Sequence, residues 1–483
     1  MACFFSLAVF ALALWSPAIF NDGDTYWHVR AGEWMLAHGT VLDHDVFSLP
    51  FSGRPWITQE WLSEVLLAVA YALAGWSGVA ILTGLSAAAA VMLLGLFLGR
   101  RLDPLPGLVV LVLSVSCWMP DYLARPHILA LPWMTMWLIG ITTAAASHRR
   151  PSWQLLPIMT IWANLHGGFV FGIALLIPVA CEAVFDSEER RARLALQWAI
   201  FAAAAVAAAL VNPHGFRGLI YPFELMQNQS LAAVGEWQAL DLHRFNAVEV
   251  AALVGGFFFI WRGIRVQPVR LLLLIALFHQ SLVHARYGMI LGLTAAVLLA
   301  DPLAAALRHE RSSWNALRTR TLPFAMGAVV FLLCAAVRIH DPITRTEGPA
   351  WPANAIAAIP ASLAAEPVFN NYAFGGFLIF SGIKPLVDSR ADFYGDAYLA
   401  EYWNTVSGEK SAVERTFRRY GVKWTILEPG DPLVGVLDRR AGWHRLFTDS
   451  FAVIQAAPDF TSTAQNLTRG VGQRAVSSRT IRQ

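Results

Sequence analysis

Charge is scarce in this chain: Asp, Glu, Lys and Arg make up only 14% of its 483 residues, well below the quarter or so that soluble domains carry. Hydrophobic residues make up 56%, so the composition excludes a soluble globular protein and identifies a polytopic membrane protein. An excess of charge of one sign is also missing. A net charge of +3 is too weak for a polyanionic partner, so no nucleic acid is expected. Cysteine is rare: Cys3, Cys117, Cys181 and Cys334 all lie in apolar stretches without metal-ligand spacing, which excludes a disulfide framework and a zinc site. The first apolar segment lacks the charged start and small-residue cleavage site of a secretory signal, and it is read as a retained span.

What the chain has instead is apolar runs separated by short polar loops. A bilayer core asks for about 20 mostly apolar helical residues. On that measure the sequence predicts about eleven spans, near 3–20, 78–98, 105–119, 127–147, 153–165, 168–185, 194–211, 246–261, 269–283, 285–300 and 322–337. Cytoplasmic loops collect Arg and Lys. With the N-terminus in the cytoplasm, the inner loops carry Arg100-Arg101, Arg149-Arg150, Arg190-Arg191 with Arg193, then Arg262, Arg265 and Arg270, and finally Arg308, Arg311, Arg318 and Arg320. The acids Asp22, Asp24, Glu33, Asp43, Asp45, Glu60, Asp121, Glu224, Glu236 and Asp241 fall outside, with eleven of the thirteen histidines. That asymmetry predicts a polar site on the outer face.

The first outer loop, residues 21–60, opens Asn21-Asp22-Gly23-Asp24-Thr25-Tyr26-Trp27-His28. Carboxylates at a membrane surface can take a proton from a hydroxyl, or hold a divalent cation such as Mg or Mn beside a phosphate. Asp22 and Asp24 are the first candidates for catalysis and for any metal. The same residues also fit a turn and N-cap for a helix over Tyr26–His38. Trp27, Trp34, Trp56 and Trp61 give the loop the character of an interfacial segment, and residues 61–74 read as a second amphipathic helix. Its acids Glu60 and Glu64, one turn apart, read as a solvated face.

Four more outer clusters each place polar residues at a helix end. They are Ala124-Arg125-Pro126-His127, Asn164-Leu165-His166-Gly167-Gly168, Asn212-Pro213-His214-Gly215, and His279-Gln280 with His284-Ala285-Arg286. Ionisable groups at membrane depth commonly line a substrate path, although one cluster alone fits capping and snorkelling. Arg125 and Arg286 are the candidate phosphate holders, because a guanidinium offers paired donors to phosphate oxygens.

From about Asp341 the chain gains Asp, Glu, Lys and Tyr and loses long apolar runs. Residues 341–457 read as a small extracytoplasmic α/β domain, and residues 458–483 as a disordered tail. Strands are predicted at Glu366–Asn370, Phe377–Phe380, Lys384–Asp388, Lys423–Glu428 and Phe451–Gln455, and helices at Asp396–Tyr420 and Pro432–Ala441. Asp388, Arg390 and Asp392 in the densest polar motif are candidates for acceptor binding; an ion-pair network closing a turn fits them equally.

NDGDTYWH and GRPWITQEWLSEVLL, with WANLHGGFVFG, VNPHGF, VFNNYAFGGFLIF and VDSRADFYG, resemble the GT-C-like superfamily of polytopic bacterial membrane glycosyltransferases over most of the chain. The resemblance implies residues 1–340 as a GT-C-like transmembrane domain in the bacterial inner membrane, with an extracytoplasmic domain behind it. It implies transfer of a sugar from a polyprenyl-phosphate or polyprenyl-diphosphate carrier to a lipid, glycan or protein acceptor, inverting or retaining. Asp24 or Asp22 would be base or metal ligand, Arg125 and Arg286 would neutralise the carrier phosphate, and His28, His127 and His166 would orient it. The alternative on the same scaffold is a non-catalytic transporter of lipid-linked glycan or an assembly partner.

Overall fold

The computed structural model describes residues 1–185, 191–228, 235–307, 321–345 and 347–458. Helices stand at all the apolar runs: α1 (Ala2–Trp15), α2 (Asp24–His38), α3 (Trp61–Gly99), α4 (Pro104–Ser116), α5 (Pro126–Ala146), α6 (Leu155–Leu165), α7 (Phe169–Ala174), α8 (Leu176–Phe185), α9 (Arg191–Ala209), α10 (Phe216–Met226), α11 (Ala247–Arg262), α12 (Pro268–Val283), α13 (Gly288–Ala306) and α14 (Thr321–His340). Among the described residues four helices are long and apolar enough to cross a membrane, over Trp61–Gly99, Pro126–Ala146, Arg191–Ala209 and Ala285–Ala306. The protein is a membrane protein. Arg190, Arg308, Arg311, Arg318 and Arg320 of the basic loops, and the tail beyond 458, lie outside the described residues.

The chain divides into two compact units. The first is Met1–Phe20, His28–Asp43 and Pro55–Thr344; the second is Asn21–Trp27, His44–Arg54 and the chain from Arg345. The division falls inside α2, and two pieces of the first loop belong with the C-terminal segment.

In the helical unit small residues set the packing, as lipid-embedded helices require. A Cβ on Gly84 would sit 2.8 Å from the Phe10 ring, and one on Gly95 would sit 2.8 Å from Ala2, so α1 lies close along α3. The helix predicted over 61–74 and the span predicted over 78–98 follow one another within α3, and non-helical backbone at Ala74 (φ −150°) and Gly75 (φ 57°) separates them. Arg270 is not a loop residue. It sits in the first turn of α12, buried, with Nε and Nη2 donating to the two Glu182 oxygens at 2.8 and 2.6 Å and Nη1 donating to the Leu298 carbonyl at 2.8 Å. Its charge therefore answers a buried carboxylate rather than marking a cytoplasmic loop.

The C-terminal unit carries a four-stranded sheet, β1 (Val368–Asn370), β2 (Trp424–Leu427), β3 (His444–Thr448) and β4 (Val453–Ala456), in the order β1-β2-β4-β3. β1 runs parallel to β2, and the other pairs are antiparallel. Val368, Phe374, Leu378, Trp424, Ile426 and Ile454 form its core. Two predicted strands are not strands. Phe377–Phe380 belongs to a short helix, Gly375–Phe380, whose Phe377, Leu378 and Ile379 are all buried; so short an apolar run reads alike in either state. Lys384–Asp388 makes no ladder, and the Asn370 side chain takes the place of a neighbour strand. Its Oδ1 accepts from the amides of Leu386 (2.9 Å) and Val387 (3.4 Å), and its Nδ2 donates to the Val387 carbonyl (2.8 Å). The helix predicted over Asp396–Tyr420 is two, Asp396–Val406 and Lys410–Tyr420, separated at Gly408 with φ 81°. β3 carries little signal in the sequence, since its residues are only partly buried.

Candidate functional site

In the C-terminal unit the Asp22-Gly23-Asp24 loop is held by backbone contact. A Cβ on Gly376 would lie 1.9 Å from the Gly23 carbonyl oxygen, and one on Gly23 would lie 2.7 Å from that of Ala373. Only glycine permits such approach. Asp22 Oδ1 accepts the Asp24 amide at 2.6 Å, which starts α2 at Asp24. The turn reading and the site reading thus apply to the same residues. The Trp27 indole N–H lies 3.1 Å from Asp24 Oδ1 and 3.1 Å from Ser389 Oγ, fixing the carboxylate of a residue that is 7% exposed. Asp392, half-buried, has its carboxyl pushed up to about 6 by burial, with the charge of Asp24 adding to the effect. Asp24 and Asp392 therefore act on one another electrostatically.

Next to this loop, Asp388 and Arg390 are buried and engaged with each other. Arg390 Nε and Nη2 donate to the two Asp388 oxygens at 2.8 and 2.7 Å, and Nη1 donates to Asp45 at 2.8 Å. Tyr394 donates to Asp388 at 2.6 Å, and Asp45 also accepts from the Ser48 hydroxyl and amide at 2.6 and 3.0 Å. Burial alone would lower the pKa of Arg390; the Asp388 and Asp45 carboxylates reverse that and hold the guanidinium charged. The ion-pair network expected of Asp388, Arg390 and Asp392 is thus present with Asp45 as its second acid, and Asp392 does not bond Arg390 among the contacts described.

In the helical unit His28 and His166 meet the two acids that the sequence assigned to solvent, and His127 stands beside His166. His28 Nδ1 lies 3.2 Å from Glu64 Oε1, His28 Nε2 lies 3.7 Å from Glu60 Oε2, and His166 Nε2 lies 3.4 Å from Glu60 Oε1. The His127 and His166 rings are 6.1 Å apart. Glu64 is 1% exposed, which corrects the solvated-face reading. The available signal was Glu64 standing inside the apolar run WLSEVLL. Three side chains tie this region together: Trp61 Nε1 donates to Asn164 Oδ1 (2.7 Å), Ser63 Oγ to the Leu165 carbonyl (2.7 Å) and Gln59 Nε2 to the Ala163 carbonyl (3.1 Å).

Beside them opens a groove of about 460 Å³ between the start of α3, the end of α6 and the turn after α9. Its polar residues are occupied within the protein: Thr160 donates to the Ala208 carbonyl, and the Asn164 amide donates to the Thr160 and Val211 carbonyls. The surface left facing the groove is mainly that of Trp61, Leu62, Ile161, Val211 and Pro213. Arg125 stands immediately before α5. Arg286 falls in a second group, 4.3 Å over the Trp237 ring, where His284 Nδ1 donates to the Trp237 carbonyl at 2.7 Å.

Among the described residues no three of His, Cys, Asp and Glu come together as ligands for a metal ion. A divalent cation at Asp22 and Asp24 would take its remaining oxygen ligands from a substrate phosphate and water.

No family model and no curated protein matches the chain. Its structure resembles the crystal structure of the oligosaccharyltransferase of Archaeoglobus fulgidus in the apo form, with a TM-score of 0.55 and 11% identity, over 88% of this chain and 69% of that one. At that identity the likeness is one of fold alone.

Proposed function

We propose that the protein is a glycosyltransferase that moves a sugar from a polyprenyl-phosphate or polyprenyl-diphosphate carrier to a lipid, glycan or protein acceptor on the outer face of a bacterial inner membrane. Eleven helices cross the bilayer in this reading, with the N-terminus cytoplasmic and the C-terminal unit outside. The observation that carries it is the Asp22-Gly23-Asp24 loop, locked by glycine contacts and by the Trp27 indole so that one buried carboxylate is held ready. Asp24 takes the proton of the acceptor hydroxyl as its oxygen attacks the sugar carbon. The bond from that carbon to the carrier phosphate breaks, and its electron pair leaves with the phosphate. Arg125 and Arg286 neutralise the leaving phosphate, while positioning and charge neutralisation supply most of the acceleration. Asp388 and Arg390 shape the acceptor side by holding the turn that presents Ser389 and Asp392. The groove beside Trp61 suits the hydrocarbon tail of the carrier, because its polar residues have their partners within the protein.

The buried Glu182–Arg270 pair favours a second reading, a transporter of lipid-linked glycan, since ionisable pairs among membrane helices often serve transport. Purified protein in liposomes, offered radiolabelled sugar on polyprenyl phosphate or on a nucleotide, separates the two. Label moving to an acceptor from the lipid donor alone supports the transferase. Label crossing the bilayer still attached to its lipid supports the transporter.

A further inference from the structure

In the helical unit α10 has an apolar side that the protein leaves open. Phe216, Phe223 and Met226 are 65%, 51% and 53% exposed. Their spacing of seven and then three residues puts them on one side of the helix, with the partly buried Leu219 and Ile220 among them. Arg217 and Glu224, both exposed, run along one edge of that side. The opposite side is closed against the protein by small residues. A Cβ on Gly218 would lie 2.5 Å from Asn212 Oδ1, and one on Gly167 would lie 3.4 Å from the buried Pro222 ring. We infer that α10 lies in the plane of the membrane and sinks its Phe216–Phe223–Met226 side into the leaflet at the Asn212 end of α9. The inference stands apart from the glycosyl-transfer reading and holds for a transporter as well.

Length excludes a span. Eleven residues make a helix of about 16 Å, against a hydrocarbon core of about 30 Å. Position in the chain places the helix at the membrane surface, because α9 is long and apolar enough to cross and α10 follows it after one corner. That corner is rigid. Asn212 Nδ2 donates to the carbonyls of Ala209 (2.9 Å) and Gly215 (3.2 Å), and Asn212 Oδ1 accepts the His214 amide (2.8 Å). Gly215 at φ 54° turns the backbone, and His214 Nε2 donates to the Thr58 carbonyl at 3.3 Å.

Continuity names lipid as the occupant. Leu196 and Ile200 on α9 are 61% and 51% exposed, as a lipid-facing side requires, and Val211 beyond them is 62% exposed. The exposed side chains of the corner, Val211 and Pro213, are apolar, and Phe216 comes next. The lipid-facing surface of α9 therefore passes into the open side of α10. Arg217 and Glu224 on the edge match an interfacial helix, whose polar rim meets headgroups and water while its apolar side enters the acyl boundary by about 5–10 Å. Val211, Asn212 and Pro213 also line the groove beside Trp61, so the depth of α10 sets the level of that wall in the leaflet.

The test is photo-crosslinking of the full-length protein in nanodiscs of phosphatidylethanolamine and phosphatidylglycerol, comparing Phe223→p-benzoylphenylalanine with Glu224→p-benzoylphenylalanine. Position 223 should form a lipid adduct about tenfold more abundant than position 224 does. An adduct from position 223 to a second copy of the chain overturns the inference, as does equal lipid labelling at the two positions or none at either. Phe223→Asp supplies a readout without a crosslinker: hydrogen exchange at the α10 amides should quicken by about tenfold or more, while Phe223→Leu should stay close to the parent. Exchange unchanged in Phe223→Asp would also overturn it.

Discussion

Arg390 in the C-terminal unit and Glu60 in the helical unit are each flanked by two ionisable partners, Asp388 and Asp45 in one case and His28 and His166 in the other. Arg390 is 1% exposed in its side chain and bonds its partners at 2.7–2.8 Å. Glu60 is 26% exposed, with its partners at 3.4 and 3.7 Å. The first cluster is closed by short bonds and has one stable arrangement. The second is loosely coupled and less deeply buried. Density of charge in the sequence does not separate the two kinds; saturation and access do.

The largest effect should come from breaking the closed cluster. Arg390→Ala leaves Asp388 and Asp45 buried without their cation, at a cost of about 3–5 kcal/mol. Hydrogen exchange at the β2 amides should show the C-terminal unit opening, and Arg390→Lys should recover little, since an ammonium cannot reproduce the two-pronged contact. Protection equal to that of the parent would show that the cluster is not structural.

A smaller effect is expected for Gly376→Ala, whose Cβ cannot coexist with the Gly23 carbonyl at 1.9 Å. The loop must shift, at about 1–3 kcal/mol, and transfer should fall more than stability does. Thermal unfolding measured beside activity separates the two.

Asp392 gives a pH dependence smaller again. Its carboxyl is raised from 3.8 to about 6, first by burial and then by Asp24, so the folded chain binds this proton more tightly than the unfolded chain. Stability from this group is full below 3.8, declines as pH rises, and is gone above about 6. Between pH 7 and 5 the C-terminal unit should therefore gain stability as pH falls, and Asp392→Asn should flatten that slope. The smallest effect is that of Glu401→Ala, which removes an exposed pair with Arg415; the melting temperature should not move measurably.

Much of the helical unit was legible because apolar runs near membrane length admit few alternatives: the span predicted at 127–147 is α5 at Pro126–Ala146. The Asp22–Asp24 turn was legible for the same local reason. What the sequence concealed depends on distant partners. Glu64 reads as solvated until α2 covers it at Gly32. Asp45 gives no signal, since Arg390 lies 345 residues away. Lys384–Asp388 has a strand's composition, yet a single asparagine side chain occupies the place of its neighbour.

The central claim is that the Asp24 carboxylate drives transfer from a lipid-linked sugar. Its most direct test is the rate of radiolabel transfer from polyprenyl-phosphate sugars by purified protein in lipid, comparing the parent with Asp24→Asn and Asp22→Asn. The account predicts that Asp24→Asn lowers the rate by about 10²–10⁴-fold while the protein stays folded and carrier lipid stays bound. A rate in Asp24→Asn equal to that of the parent would contradict it.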